Sequence, residues 1–296
     1  MASHLEAVGF QVDGADEVQQ LLDQALTRAR ASGSEVEHSE GRTLQYVDPS
    51  GAAITIHIDY QDDIVCMKPG FVGESRFWWR PLNVYPDGDC RFCDLVFADF
   101  LGEDAGEEYY TLALEVETIG ADRALIPYGD AGEVTFAALC IGGEVSESEA
   151  EFRRAQEAEW ASAKVPEALA DTIPALRGFA SKSLVPSGLF TEHGEAPSSD
   201  VLAFGIVASV EQRQNELGGG RFMLVRLETL GGTFETCIAP RTLEGEELLA
   251  PGSVVGGTFW LVGHPLTLRD DPGPVPTAEG QKKRRGIRGL FGRRGS

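Results

Sequence analysis

The chain has 296 residues, of which 42% are hydrophobic and 24% charged, and a formal charge of −22. This is more chain than one ordinary core serves and a composition typical of folded globular domains, which excludes wholesale disorder, fibrous repeats and solenoids. The charge is segregated, because residues 281–296 hold seven Lys and Arg and no acid, leaving 18 basic against 47 acidic residues, or −29, on the rest.

Met1 to Glu6 lack a positive stretch followed by an apolar one, and no apolar run reaches the roughly 18 residues of a membrane span. Neither export nor a transmembrane segment is expected. Cys66, Cys90, Cys93, Cys140 and Cys237 are odd in number in a chain large enough to fold without cross-links. The expected setting is therefore the reducing cytoplasm, without a disulfide framework.

In chain order, the opening reads as a strand followed by a helix over about 14–31. Val18, Leu21, Leu22, Ala25, Leu26 and Ala29 share one helical face, with Asp13 as N-cap and Gly33 as C-cap. A hairpin follows, in which Thr43 to Val47 and Ala53 to Ile58 flank the turn Asp48-Pro49-Ser50-Gly51. Ile54, Ile56 and Ile58 alternate with Thr55, His57 and Asp59, predicting one apolar and one wet face. Residues 1–60 thus read as β-α-β-β, a helix on an antiparallel sheet.

From 64 to 141 the pattern is of strands, including Thr111 to Glu117 and Val134 to Ile141. Ser146 and Glu149 have capping-box spacing and Glu149 to Arg153 adds an i,i+4 pair, predicting a helix over about 147–163 that Pro166 ends. Residues 184–197 lie in a Pro/Gly/Ser-rich stretch and read as a linker. Beyond it, Val201 to Val210, Arg221 to Thr229, Thr233 to Ala239 and Val254 to Val262 are strand-like runs joined by glycine turns. The fold class expected is α+β: a domain over 1–183, a small antiparallel barrel over 198–268 that folds alone, and a disordered basic tail over 269–296.

Those four runs, with the longer segment between the third and fourth, resemble an OB-fold, and an SH3-like barrel fits nearly as well. A fifth strand is not obvious. The resemblance implies binding of oligonucleotides or proteins. The β-α-β-β order and the turn at 48–51 resemble half a vicinal-oxygen-chelate module, of the glyoxalase and dioxygenase superfamily. That resemblance implies a divalent metal held by a His on the first strand, matched by His4, and by a carboxylate after the turn, where this chain has Thr55.

Cys90-Arg91-Phe92-Cys93 has the spacing to grip zinc or to form a redox disulfide, with Cys66, His38 or His57 completing a zinc set only through folding; two packed structural thiols are the expected state. Asp59, Asp62 and Asp63 cluster as a cation loop or as a solvated turn. In Phe77-Trp78-Trp79-Arg80, strand alternation buries Phe77 and Trp79 and exposes Trp78, so that Trp78 and Arg80 are candidates for stacking on a ligand. No nucleophile elbow, zinc-protease helix, phosphate loop or dinucleotide fingerprint occurs.

The tail offers Lys282, Lys283, Arg284, Arg285, Arg288, Arg293 and Arg294, with Ile287, Leu290 and Phe291 among them. A polyanion such as nucleic acid or an anionic membrane surface, or a protein partner, is the expected contact, since a body at −29 repels polyanions. The reading is a non-enzymatic binding protein without a resident cofactor. The alternative is a metal-dependent small-molecule enzyme of vicinal-oxygen-chelate type.

Overall fold

A computed structural model of the chain describes residues 4–38, 41–86, 94–102, 110–117, 126, 129–162, 179–186 and 198–266. The expected opening strand is instead a short helix, α1 (His4–Ala7), after which Phe10 makes a single bridge to Gly219. Helix α2 (Ala15–Ser32) buries Leu21, Ala25 and Ala29, as its periodicity predicts. Gly14 rather than Asp13 is its N-cap, while Gly33 closes it at φ 71°, and the amide of Ser34 returns to the Ala29 carbonyl.

Four strands follow as an antiparallel meander: β1 (Glu35–His38), β2 (Gly41–Val47), β3 (Ala52–Ile58) and β4 (Ile64–Phe71). Gly51, at φ 90°, makes the β2–β3 turn where the sequence places it. The face expected to be wet is not: every residue of β3 is buried, Thr55 and His57 included. Ile54, Ile56 and Ile58 pack with α2, whereas Thr55 and His57 meet a buried polar seam described below.

The larger sheet is built from β5 (Arg76–Pro86), β6 (Asp94–Gly102), β7 (Tyr110–Val116), β8 (Gly132–Ser146), β9 (Ser183–Pro186), β10 (Asp200–Gln214), β11 (Arg221–Thr229), β12 (Gly232–Ile238), β13 (Leu243–Glu244) and β14 (Val254–Pro265). Helix α3 (Glu149–Ser162) lies between β8 and β9. Its capping serine is Ser148, whose hydroxyl accepts the Glu151 amide, two residues beyond the expected Ser146. The described residues are thus mostly sheet with few helices, and strands from both sides of 187–197 share one sheet.

The pairings of this sheet close on themselves twice. β10–β11–β12–β8–β14 returns to β10, with only the β12–β8 join parallel. β8–β5–β6–β7–β14 returns to β8, through a parallel contact of Val262 with Glu115. The antiparallel β8–β14 pair belongs to both rings.

Alternation on those two strands serves two cores. Phe136, Ala138 and Cys140 of β8, with Phe259 and Leu261 of β14, join Phe77, Trp79, Phe100 and Phe234 inside the rings. The intervening Ala137, Leu139, Trp260 and Val262 join α1, α2 and β2–β4 outside them. Each fully buried large side chain stabilises the fold by about 1.5–3 kcal/mol, so the shared pair anchors both layers.

Candidate functional site

The described residues bring one group of titratable side chains together deep in the molecule. Glu115 on β7 and Glu117 just past its end are two apart on an extended chain and face the same way, toward the polar side of β3 and β4. Lys68 Nζ lies 2.9 Å from Glu115 Oε1. Thr55 Oγ1 is 3.5 Å from Glu117 Oε2, and Gly70 passes so close that a Cβ there would meet the Glu117 carboxylate at 2.1 Å. Burial, then the neighbouring Glu115 charge, push the Glu117 carboxyl well above the usual range, so its surroundings favour the protonated form.

His57 extends the seam toward the surface. Its Nδ1 is 2.9 Å from Thr43 Oγ1, which is 3.1 Å from His38 Nε2. Burial depresses His57 to about 4, against the opposing pull of a hydrogen bond to the Glu117 backbone, so the ring is neutral. A buried carboxyl whose surroundings favour its neutral form, a neutral imidazole and a Lys–Glu pair form a dry polar joint between the two sheets. Among the described residues, no group of three His, Cys, Asp or Glu is placed to hold a metal ion.

Two further carboxylates lock the layers. Asp48 accepts from the Tyr46 and Ser50 hydroxyls and from the amides of Ser50, Glu216 and Leu217, tying the β2–β3 turn to the β10–β11 hairpin. Burial alone would raise its carboxyl, yet these donors hold it below the ordinary value. Glu235 accepts the amides of Glu74 and Ser75 at 2.6 and 3.1 Å, fixing the entry to β5. Arg213 donates to the Ser50 carbonyl and lies over the Phe71 ring.

The same hairpin grips the N-terminal segment. Asn215 Nδ2 donates to the Val8 carbonyl, Gly220 donates to the Gly9 carbonyl, and Phe10 bridges Gly219. Phe222 and Leu224 on β11 are buried in the core that holds α1 and Phe10.

The residues singled out in the sequence are scattered. Phe77 and Trp79 are buried, whereas Trp78 and Arg80 are partly exposed on the outer face of β5. Cys66 is disulfide-bonded, contrary to the expectation of a chain without disulfides, so its sulfur is not a free thiolate for zinc. Cys90, Cys93 and the basic residues Lys282 to Arg294 lie outside the described residues. His4 is on a helix rather than a strand, stacked on Trp260 at 4.0 Å between ring centroids. Asp59 caps its own turn through the amides of Gln61 and Asp63, and Asp62 pairs with Arg42.

The seam was not legible in the sequence, since Thr55 and His57 read as part of an ordinary wet face and nothing in the sequence placed Lys68 beside them. The one signal was Leu114-Glu115-Val116-Glu117, two acids alternating with apolar residues in a strand otherwise apolar. Compared with known proteins, the chain matches no family model, no curated protein and no solved structure. No helix among the described residues is long and apolar enough to cross a membrane.

Proposed function

We propose that this chain is a binding protein in which an OB-like ring is the scaffold and the basic segment 281–296 is the contact for a polyanion. The ring reading is supported by strand order: three successive antiparallel strands, β10 to β12, joined in parallel to β8 and closed through β14. The fifth strand comes from upstream in the chain, which is why 198–268 alone lacks it. Rings of this kind bind oligonucleotides on the face of their second and third strands and with the loop between the first two.

The observation that carries the reading is that both elements are already engaged here. The β10–β11 loop holds residues 8–10, and Phe222 and Leu224 are covered by the N-terminal layer. Recognition of an external polyanion is thereby left to the segment with seven positive charges. Release of counterions from that segment makes binding strongly salt dependent, with a slope of log affinity on log salt near −5 for a single strand.

The test is a salt series of fluorescence polarisation with a labelled single-stranded oligonucleotide, and of sedimentation with anionic vesicles. Full-length protein should bind with that slope, and a chain ending at Gly280 should lose at least tenfold at low salt. Equal binding by the two chains would return recognition to the folded body.

A further inference from the structure

We propose that the outer face of β5 and β6 is the docking site for the chain's own residues 281–296, an autoinhibitory contact that competes with polyanion binding. The face follows from strand alternation. Phe77, Trp79, Val96, Ala98 and Phe100 point into the ring core, so Trp78, Leu95, Phe97 and Asp99 point outward. Leu82 is 48% exposed, and Trp78, Leu95 and Phe97 are each partly exposed. In register, Trp78 lies opposite Glu133 on β8 and Arg80 opposite Asp99 on β6, so carboxylates border the apolar strip.

The occupant is chosen by chemistry and by reach. Ile287, Leu290 and Phe291 supply apolar side chains among seven cations, the complement of an apolar strip edged by Asp99 and Glu133. The described chain ends beside this face, with the Leu266 amide bonded to the Glu133 carbonyl. From β14 the sheet passes through β8 and β5 to β6, three strand spacings or about 15 Å. Residues 267–280 are enough chain to cover it, since a flexible stretch of that length has a root-mean-square span of about 20 Å. A match of tether and span gives an effective concentration on the order of millimolar, enough to populate a weak contact.

The inference rests on the polyanion reading only for its consequence, and two measurements on the full chain separate them. Zero-length carbodiimide coupling at low salt, followed by peptide mapping, should join Lys282 or Lys283 to Asp99 or Glu133. Leu82→Asp, an exposed position whose folding is checked by thermal melt, should reduce that product several-fold. Products scattered over the carboxylates of α2 and α3, or unchanged by Leu82→Asp, overturn the docking site. Coupling between isotopically distinct copies assigns the tail to a second molecule and overturns it equally.

The second measurement is oligonucleotide affinity, which Leu82→Asp should raise by several-fold despite the added negative charge, because the tail is released. An affinity that stays the same or falls overturns the competition. If the synthetic peptide 281–296 does not bind the oligonucleotide at all, the polyanion reading fails, while the coupling result still decides the docking.

Discussion

Glu117 is a carboxyl whose burial favours its neutral form, and stability should report it. A group whose folded value is raised keeps a proton that the unfolded chain releases above its ordinary 4.5, so its stabilisation is present at low pH and is lost as pH rises. His57 runs the other way: depressed to about 4, it leaves the unfolded chain to take up protons below 6.5, and stability falls toward acid. Glu117→Gln keeps the shape and removes only the titration. Its urea-unfolding midpoint, relative to the parent, should therefore move in the variant's favour from pH 5 to pH 8, by at most about 1.4 kcal/mol per pH unit. A difference that does not change with pH would show that the Glu117 carboxyl is not proton-linked.

At the scale of elements, the β8–β14 pair belongs to both rings, and facing glycines let its two strands approach closely. Gly257 lies opposite Gly143, and a Cβ at Gly143 would meet the Gly256 carbonyl at 2.1 Å, while one at Gly257 would meet the Gly142 carbonyl at 2.3 Å. Gly143→Ala should destabilise by about 2–4 kcal/mol, lowering Tm by roughly 4–12 °C, because backbone rather than a movable side chain must give way. Gly142→Ala, on the same strand with nothing within 4 Å, is the control and should be neutral or slightly stabilising. Equal shifts would deny the close approach. Much of this level was legible: α2 from its 3.6-residue period and Gly33, the β2–β3 hairpin from Pro49 and Gly51, and β10, β11, β12 and β14 from alternation between glycine turns. What escaped was non-local. The opening segment reads as a strand by composition, yet Phe10 finds only one bridging partner, and nothing in Gly132 to Ser146 announces a parallel partner a hundred residues downstream.

For the molecule as a whole, ring closure couples parts of the chain that composition separates. Residues 198–266 supply four strands of the first ring, but the edges of β12 and β14 are both satisfied by β8, along twelve paired residues of β14 from Val254 to Pro265. Removing β8 exposes those two edges and opens the core between Phe234, Phe259 and Val225 to water. The loss of the ladder and of buried aromatic surface exceeds the few kcal/mol by which a domain of that size is stable. The fragment 198–266 by itself is therefore expected to melt without a cooperative transition and to associate through its open edges. A second fragment with residues 129–146 joined ahead of 198 by a flexible Gly/Ser linker restores the fifth strand and should melt cooperatively as a monomer. Far-UV circular dichroism against temperature, with sedimentation velocity for the oligomeric state, compares the two. If the shorter fragment melts as sharply as the longer one, 198–268 is an autonomous domain and the closure through β8 is dispensable. If neither melts cooperatively, the second ring and the N-terminal layer are required as well, and the chain folds as a single cooperative unit built around the β8–β14 pair.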